Sequence, residues 1–586
     1  MVQPKAVHRV LFLLLVASLG GVQARSVLAG PPEVVLPAAV LAASDGPETG
    51  EVPAAIEPQP ADLNISPDQL KWHIPDPYHE RPISQEELDR ARQENDIATV
   101  TFLNRVAERI DSIRRPAQVH LTLEDVLLRT LGDSFVIEVQ RYNPAVETTR
   151  VVEAEAAFDA LFFSDITKNK VDRPTASQLY ATDLDSLDMT FGVRKLMATG
   201  MQVSASYGMQ RESTSFAYQQ INPAYTSSIA FNFSQPLLRG FGIDVNRSMV
   251  HIYKNNRRIS DLTFRRQVRD VIRQAEELYW ALTQARRDVV ITARLLADFE
   301  RIYDYLVARK AYDVMEVQLA ATKANLEQSR AEFVLKRAAV FDAEDRLIAI
   351  MNDPELNLAD DVEIIPDDLP QLMRIVVDPI AEVQTALAQR PEIKERELQL
   401  ANAKIVVGQA RNAELPKLDL SFTYQIQGLA GSADRSFDEA SRHNYVNYVT
   451  GVQFELPIGN RGPRAAYHRA ELQHAQAKAA LQVEIENTIL DVNVAVRGLG
   501  TTYDLIGPSF ESAEAREREV GSIVARAERK DVNTLTNELN ARNSLAAARR
   551  AMLRAMIAYN IAIIDLEQAK GTLLRYNNVA IVTDED

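Results

Sequence analysis

The residue types that could do chemistry are present in this 586-residue chain, but their spacing forms no catalytic pattern. No His-Glu-x-x-His zinc motif, Walker-type glycine loop or Gly-x-Ser-x-Gly nucleophile motif occurs. The eight histidines are scattered, and His468 and His474 lie six residues apart on a helical pattern, where two side chains share a face poorly. The sequence therefore predicts no enzyme activity, no catalytic or metal site and no cofactor.

The most informative charged residues lie in two short breaks between paired helical patterns. The first break reads Arg309-Lys310-Ala311-Tyr312-Asp313, and the second reads Ala527-Glu528-Arg529-Lys530-Asp531. Each aspartate could cap the helix that follows, where a negative charge stabilises the N-terminus by about 0.3–1 kcal/mol. A capping role does not exclude a second role, which depends on where the surrounding elements place the two breaks.

Short stretches of strict alternation interrupt the helical patterns. Between Leu420 and Ile426 apolar residues alternate with uncharged polar ones, and the pattern recurs between Met189 and Ser234. Strands of this kind suit a membrane barrel, with lipid on the apolar face and water on the polar face, although a half-buried soluble sheet alternates similarly. For the barrel, we expect a lumen lined by Ser421, Thr423 and Gln425 and a lipid-facing surface containing Phe231, Phe233, Phe422 and Tyr424.

The composition indicates an exported protein. An apolar run from Val10 to Val22 follows Lys5, His8 and Arg9, which is typical of a secretory signal peptide. No later stretch has the roughly 20 apolar residues of a transmembrane helix, so strands would have to span a membrane. The chain has no cysteine for a disulfide or a lipid anchor, and its net charge of −16 argues against nucleic acid as a partner.

The long helical patterns predict an elongated molecule built from two similar units. The pattern from Asp244 to Lys310 contains no proline and would be on the order of 100 Å long, which requires a coiled-coil-like assembly. Pro236 and Asp313 have counterparts in Pro457 and Asp531. The predicted organisation is a signal peptide (1–24), a proline-rich leader (25–82), an N-terminal helical segment (83–119), a first repeat (120–353), a linker (354–378), a second repeat (379–575) and an acidic tail (576–586).

The strands of the first unit are predicted over about 161–236 and those of the second over about 418–457. The first strand region is longer, and the excess predicts an insertion near 175–212. With this insertion the chain would supply up to six strands. Two or three strands per unit cannot close a barrel alone, so a pore would require several chains.

Proline-containing segments occur in the same order as these elements. They are Gln235-Pro236-Leu237-Leu238-Arg239-Gly240, Arg390-Pro391-Glu392, Leu415-Pro416-Lys417-Leu418 and Leu456-Pro457. This order, across residues 120–575, resembles the outer-membrane efflux protein (TolC-type) family. The resemblance implies a mostly α fold with a membrane β-barrel portion, to which each chain gives four strands, or up to six if the insertion adds to them. In such a fold two tandem repeats of helix, strands, long helix and helix form a trimeric α-helical barrel that an outer-membrane β-barrel continues.

The resemblance also implies a role for the two helix breaks, which in that family form the periplasmic tip where the tube narrows. Asp531 and Asp313 match an aspartate in each repeat's tip. We expect Asp531 to line the closed aperture, with Tyr312, Arg309 or Arg529 in contacts that hold it shut. A second acidic position often follows three residues later in that family, but here the residue is Thr534. One ring of carboxylates would remain, which is a weaker cation trap.

By resemblance, the function is a passive exit duct from periplasm to exterior, in a tripartite efflux or type I secretion system. Its expected location is the outer membrane, with the helical part in the periplasm. The expected partners are two further copies of the chain, a periplasmic adaptor, an inner-membrane pump and outer-membrane lipid. A soluble periplasmic coiled-coil adaptor and an exported enzyme with a helical domain remain as alternatives. Small-molecule or metal efflux also competes with protein secretion, since cargo selection belongs largely to the pump.

Overall fold

The protein is described by a computed structural model that covers residues 33–35, 97–112, 114–115, 117–174, 182–216, 218–310, 314–356, 358, 361–526 and 532–582. The helices are α1 (Ile97–Asp111), α2 (Leu123–Asp133), α3 (Phe135–Ala156), α4 (Ile243–Asn246), α5 (Ser248–Ala308), α6 (Glu316–Met351), α7 (Pro379–Gln389), α8 (Pro391–Ala413), α9 (Ala433–Ser441), α10 (Arg461–Arg526), α11 (Val532–Lys570) and α12 (Leu573–Tyr576). The strands are β1 (Glu33–Val35), β2 (Ala117–Leu121), β3 (Ala160–Asp172), β4 (Asp183–Leu196), β5 (Gln202–Thr214), β6 (Ala224–Pro236), β7 (Val362–Pro366), β8 (Lys417–Ala430), β9 (Tyr445–Glu455) and β10 (Ala580–Val582).

Two long helical hairpins, α5 with α6 and α10 with α11, form the body of the molecule. The 61 residues of α5 and the 66 of α10 correspond to lengths of about 90 and about 100 Å. The buried face of α5 repeats at three and four spacings, as in Val268, Val271, Ile272, Ala275 and Tyr279. Within the described residues no helix is both long and apolar enough to cross a membrane.

Six strands form one antiparallel sheet in the order β3-β4-β5-β6-β8-β9. The number of strands is therefore six, the upper end of the predicted range. Strands β4 and β5, which the sequence assigned to an insertion, are a hairpin within this sheet. Within the described part of the chain, β3 and β9 are the edges of the sheet, and no strand pairs with their outer sides.

The β4–β5 hairpin ends at the joint between sheet and helices. Gly200 forms its turn with a φ of +90°, and a Cβ atom there would lie 2.5 Å from the carbonyl oxygen of Gly240. The Asn246 side chain donates hydrogen bonds to the carbonyls of Gly240 and Gly242, both at 2.8 Å. The turn therefore needs glycine, and it fixes the hairpin against the segment that enters the long helices.

A small two-stranded sheet, formed by β2 and β7, lies beside the long helices and was not predicted from the sequence. The prediction of a linker over 354–378 overlooks β7, whose five residues are buried and pair in parallel with β2. Thr122 follows β2 and caps α2 through a capping box with Asp125. Strands β1 and β10 form a second two-stranded sheet. The repeat boundaries themselves stay a prediction.

Two regions with helical patterns are each divided into two helices. The pattern over residues 381–414 is helical throughout, but the chain there forms α7 and α8, which meet at Arg390. Pro391 is the cause, because a proline disfavours the α conformation of the residue before it, and Arg390 has a ψ of 124°. The helical region from Leu121 to about Phe158, whose pattern allows a break near Gly132, divides at Ser134, which is extended with a ψ of 115°. Within the N-terminal helical segment predicted over 83–119, the described residues form α1 and the start of β2.

Candidate functional site

One face of the six-stranded sheet carries an apolar surface that the rest of the described chain leaves largely uncovered. In the strand register Phe231 lies opposite Tyr424 and Phe233 lies opposite Phe422, and both pairs of ring centroids are 6.4 Å apart. Tyr424 also packs against Tyr448 at 5.3 Å. One row crosses all six strands through Phe162, Val193, Ala205, Phe231, Tyr424 and Tyr448.

The exposure of this apolar face sets it apart from a soluble core. Phe162 is 66% exposed, Phe231 40%, Phe422 37% and Tyr448 67%. Soluble proteins rarely leave so continuous an apolar surface in water, and such a surface marks contact with lipid or with another protein. The four residues predicted to face lipid thus lie together on one face. That this face contacts lipid stays a prediction.

The opposite face of the same strands is polar and hydrogen-bonded. Thr423 donates to the Asn232 side-chain oxygen at 2.9 Å, and the Asn232 amide donates to the Ser204 hydroxyl at 3.2 Å. Ser421 donates to the Gly451 carbonyl at 3.3 Å. Gln425 lies four residues after Ser421 on the same strand, so both belong to the same face of the sheet. The three residues predicted to line a lumen therefore share one face. Their contact with water stays a prediction.

A nine-residue helix between β8 and β9, which sequence reasoning missed, covers the far end of the apolar face. Ser436 of α9 hydrogen-bonds to Ser227 at 2.7 Å, and Phe437 packs edge-on against Tyr207 at 5.8 Å. Gly428 permits this approach, because a Cβ atom there would lie 2.2 Å from the Ser436 carbonyl oxygen. The outer side of α9 exposes Asp434 and Asp438. The uncovered apolar surface therefore ends where α9, with its exposed carboxylates, packs on the sheet.

The predicted aperture residues are only partly placed. Tyr312, Asp313, Arg529 and Asp531 lie outside the described residues, so their roles stay predictions. Arg309 ends α5 with its guanidinium 5.6 Å from the centre of the Tyr305 ring, and its Nη1 lies 3.4 Å from the Tyr305 hydroxyl. This contact of Arg309 lies within its own helix.

A cluster of four charged side chains joins the two hairpins close to these breaks. Asp298 and Arg301 come from α5, and Glu538 and Arg542 come from α11. Arg542 binds Asp298 at 2.8 Å and Glu538 at 2.9 Å, while Arg301 binds Asp298 at 3.0 Å and Glu538 at 3.2 Å. Burial raises the pKa of the Asp298 carboxyl, and Arg542 and Arg301 oppose that shift.

This interhelical cluster was missed because its members lie on separate helices whose register the sequence does not give. Three of the side chains are largely buried, with Glu538 3%, Asp298 10% and Arg542 17% exposed, whereas Arg301 is 36% exposed. Asp298 precedes Arg309 by about 16 Å of helix. The cluster is thus placed to hold the two hairpins together near their ends. Within the described residues no group of three or more acidic or histidine side chains could hold a metal ion.

Comparison with known proteins gives consistent matches. Residues 383–572 match the family model described as outer membrane efflux protein. The solvent efflux pump outer membrane protein SrpC of Pseudomonas putida is 24% identical over 328 residues, which cover 52% of this chain and 67% of SrpC.

Two solved structures share the fold. The outer-membrane channel OprN matches with a TM-score of 0.57 and 15% identity, over 77% of this chain and 90% of OprN. The Campylobacter jejuni CmeC outer membrane channel matches with a TM-score of 0.57 and 15% identity, over 78% of this chain and 89% of CmeC. The mostly α fold with a β portion, predicted from the sequence, is confirmed by these likenesses.

Proposed function

We propose that this chain, whose residues 383–572 belong to the outer membrane efflux protein family, is the outer-membrane channel of a tripartite efflux or type I secretion system. The observation that carries the proposal is that one chain contains both very long helices and a sheet with an uncovered apolar face. Helices of about 90–100 Å continue directly into a six-stranded sheet with one uncovered apolar face. A soluble adaptor has no use for such a face, and a transport channel needs no catalytic group.

The sheet supports assembly as a trimer. Six strands with free edges at β3 and β9, among the described residues, cannot close on themselves, and exposed edges invite pairing with another chain. If β9 of each copy pairs with β3 of the next, three copies give a barrel of eighteen strands, which is the size class that leaves an aqueous channel. The Phe422 and Tyr424 face would then meet lipid, and the Ser421, Thr423 and Gln425 face would line the lumen.

The helical hairpins would cross the periplasm and end at the aperture. On this proposal the repeats at 120–353 and 379–575 each supply one hairpin, and the breaks at Asp313 and Asp531 meet an adaptor and, through it, an inner-membrane pump. Three copies of Asp531 at the narrowest point would concentrate cations by electrostatic focusing. Tyr312, Arg309 and Arg529 would hold the breaks in the closed arrangement. Transport through such a duct is passive.

An Asp531→Asn variant tests the aperture. We expect block of the channel by multivalent cations to weaken at least tenfold in planar-bilayer recordings, because three carboxylates disappear from the constriction while the side-chain shape is kept. Asp313→Asn is the matched control, since it removes the equivalent carboxylate of the other repeat. Unchanged cation block in Asp531→Asn would leave Asp531 only the role of a helix cap.

Single-particle imaging of the detergent-extracted protein tests the function as a whole. The expected particle is a three-fold hollow tube well over 100 Å long, with eighteen strands in its barrel. A compact or two-fold particle, or a protein that carbonate releases from membranes without detergent, contradicts the channel and favours the soluble adaptor.

A further inference from the structure

A cavity of about 520 Å³ lies beside the middle of α5, away from both the sheet and the helix breaks. Its walls come from α2, α5, α11, α12 with the segment that follows it, and the segment that follows β7. The lining residues are Thr122, Leu123, Glu124, Leu127, Leu128, Leu131, Glu276, Trp280, Asp368, Leu369, Gln371, Asn560, Ile563, Ile564, Tyr576, Asn577, Asn578 and Val579. The volume falls within the range of pockets that hold small organic molecules.

The charges in this wall have one sign. Glu124, Glu276 and Asp368 contribute three carboxyl groups, and none of the described lining residues is a lysine, arginine or histidine. Asp368 is satisfied internally, because its Oδ2 accepts from the Leu123 backbone at 2.6 Å and from the Tyr279 hydroxyl at 2.9 Å. Glu124 is exposed. Glu276 is neither exposed nor fully satisfied.

Glu276 is a buried carboxyl group with one oxygen that has no hydrogen-bond partner among the described residues. It is 1% exposed, its Oε1 accepts from the Asn577 amide at 2.8 Å, and its Oε2 has no hydrogen-bond partner. Other buried carboxylates among the described residues meet a cation, as Glu344 meets Arg286 at 2.9 Å. Burial raises the pKa of the Glu276 carboxyl to about 7, and Glu277 adds to the shift. A buried carboxyl group without a cation is costly, and it marks a candidate binding position.

The remaining walls are aromatic and aliphatic. Trp280 lies one turn after Glu276 on α5, so the two side chains share a helix face. Tyr576 lines the same region and is about half exposed, so one side of its ring is accessible from the cavity mouth. Leu131, Ile563 and their neighbours supply apolar contact. Aromatic rings attract ammonium groups by cation–π interaction, and the carboxylate supplies the counter-charge.

We propose that this cavity binds a small amphipathic organic cation, with its ammonium group at Glu276 and its apolar part against Trp280 and Leu131. Binding requires the ionised form of Glu276. Glu277 and Tyr576 interact electrostatically with Glu276, and Glu124 and Asp368 share the cavity wall. None of the residues that line the cavity is a cation, so no protein cation competes with the ligand there. The proposal does not depend on channel activity.

The probe is 2-phenylethylamine, added to the full-length protein in detergent. The chain has two tryptophans, so a Trp72→Phe background leaves Trp280 as a fluorescence reporter in the cavity wall. We expect a saturable fluorescence change, matched by calorimetry. The affinity should rise from pH 6 to pH 8, because Glu276 loses its proton across that range. The neutral analogue 2-phenylethanol should bind at least tenfold more weakly.

Glu276→Gln is the decisive variant, and we expect it to weaken binding of 2-phenylethylamine at least tenfold while keeping the shape of the wall. Glu277→Gln is the matched control, because the neighbouring carboxylate pairs with Arg273 at 2.7 Å and does not line the cavity. Equal affinity of the amine and the alcohol, or an affinity that does not change with pH, overturns the proposal even if Glu276→Gln fails to fold. Unchanged binding in Glu276→Gln overturns it as well.

Discussion

A Tyr424→Arg variant is expected to fail to accumulate in the outer membrane, whereas Gln425→Arg should accumulate as the unmodified chain does. Tyr424 lies in the middle of β8, between Phe231 and Tyr448 on the uncovered apolar face. If that face meets lipid, an arginine near the bilayer midplane costs about 2–4 kcal/mol per chain, and three copies share the barrel. The measurement is the amount of folded oligomer in the outer-membrane fraction, detected by its altered gel mobility before heating.

Gln425→Arg is the matched control because it places the same charge one residue along the same strand, on the opposite face. A water-filled lumen accepts arginine at little cost. Tyr424→Phe should also accumulate normally, since it keeps the aromatic contacts with Phe231 and Tyr448. Equal loss in both arginine variants, or normal accumulation of Tyr424→Arg, would show that the apolar face does not contact lipid.

The two faces of the sheet could be predicted because a strand alternates its side chains with a period of two. Phe231 and Tyr424 belong to distant segments, yet each was assigned to the apolar face from its own local pattern, and the register places them opposite each other. The period does not reveal how many strands join the sheet. The second half of strand β3 carries Lys168, Asn169 and Lys170, and these polar side chains hide its alternation.

Short elements were missed for a related reason. The five residues of β7 form a strand only because β2 lies beside them, and β2 pairs with them from a distant part of the chain. Helix α9 has nine residues, too few to be stable alone, so it depends on its packing against Gly428, Ser227 and Tyr207. Tertiary contacts of this kind leave little trace in a local pattern.

The charged sites were the least predictable. Glu276 lies in a long amphipathic helix, where a glutamate ordinarily indicates a solvated face, and its burial follows from the segment around Asn577 that packs over it. Asp298 and Glu538 become neighbours only through the register of α5 against α11. The helix breaks could be predicted because each is a short basic segment that ends in an aspartate, which is a local pattern. The ion pairs that join the two hairpins near those breaks could not be predicted, since they depend on how the helices are aligned.

An Arg542→Ala variant is expected to raise the resting conductance of the channel and to lower its melting temperature. Arg542 bridges Asp298 of α5 and Glu538 of α11, so its loss leaves two buried carboxylates that share only Arg301. Removing one partner of a buried ion pair destabilises by about 3–5 kcal/mol, and part of that energy can be relieved if the hairpins separate. Since the cluster lies about 16 Å of helix above Arg309, separation there would widen the helix ends.

Arg518→Ala provides the comparison, because Arg518 pairs with Glu514 on its own helix at 3.4 Å and its side chain is 67% exposed. Exposed pairs of this kind contribute about 0–1 kcal/mol, so conductance and melting temperature should stay close to those of the unmodified chain. Both are measured on the purified protein, conductance in planar bilayers and unfolding by circular dichroism. If Arg542→Ala melts at a lower temperature but conducts as before, the cluster stabilises the hairpins without closing the aperture. A rise in conductance confined to Arg542→Ala would instead show that the contact between α5 and α11 stabilises the closed aperture. The closed state would then depend on this cluster as well as on the residues of the two breaks at Asp313 and Asp531.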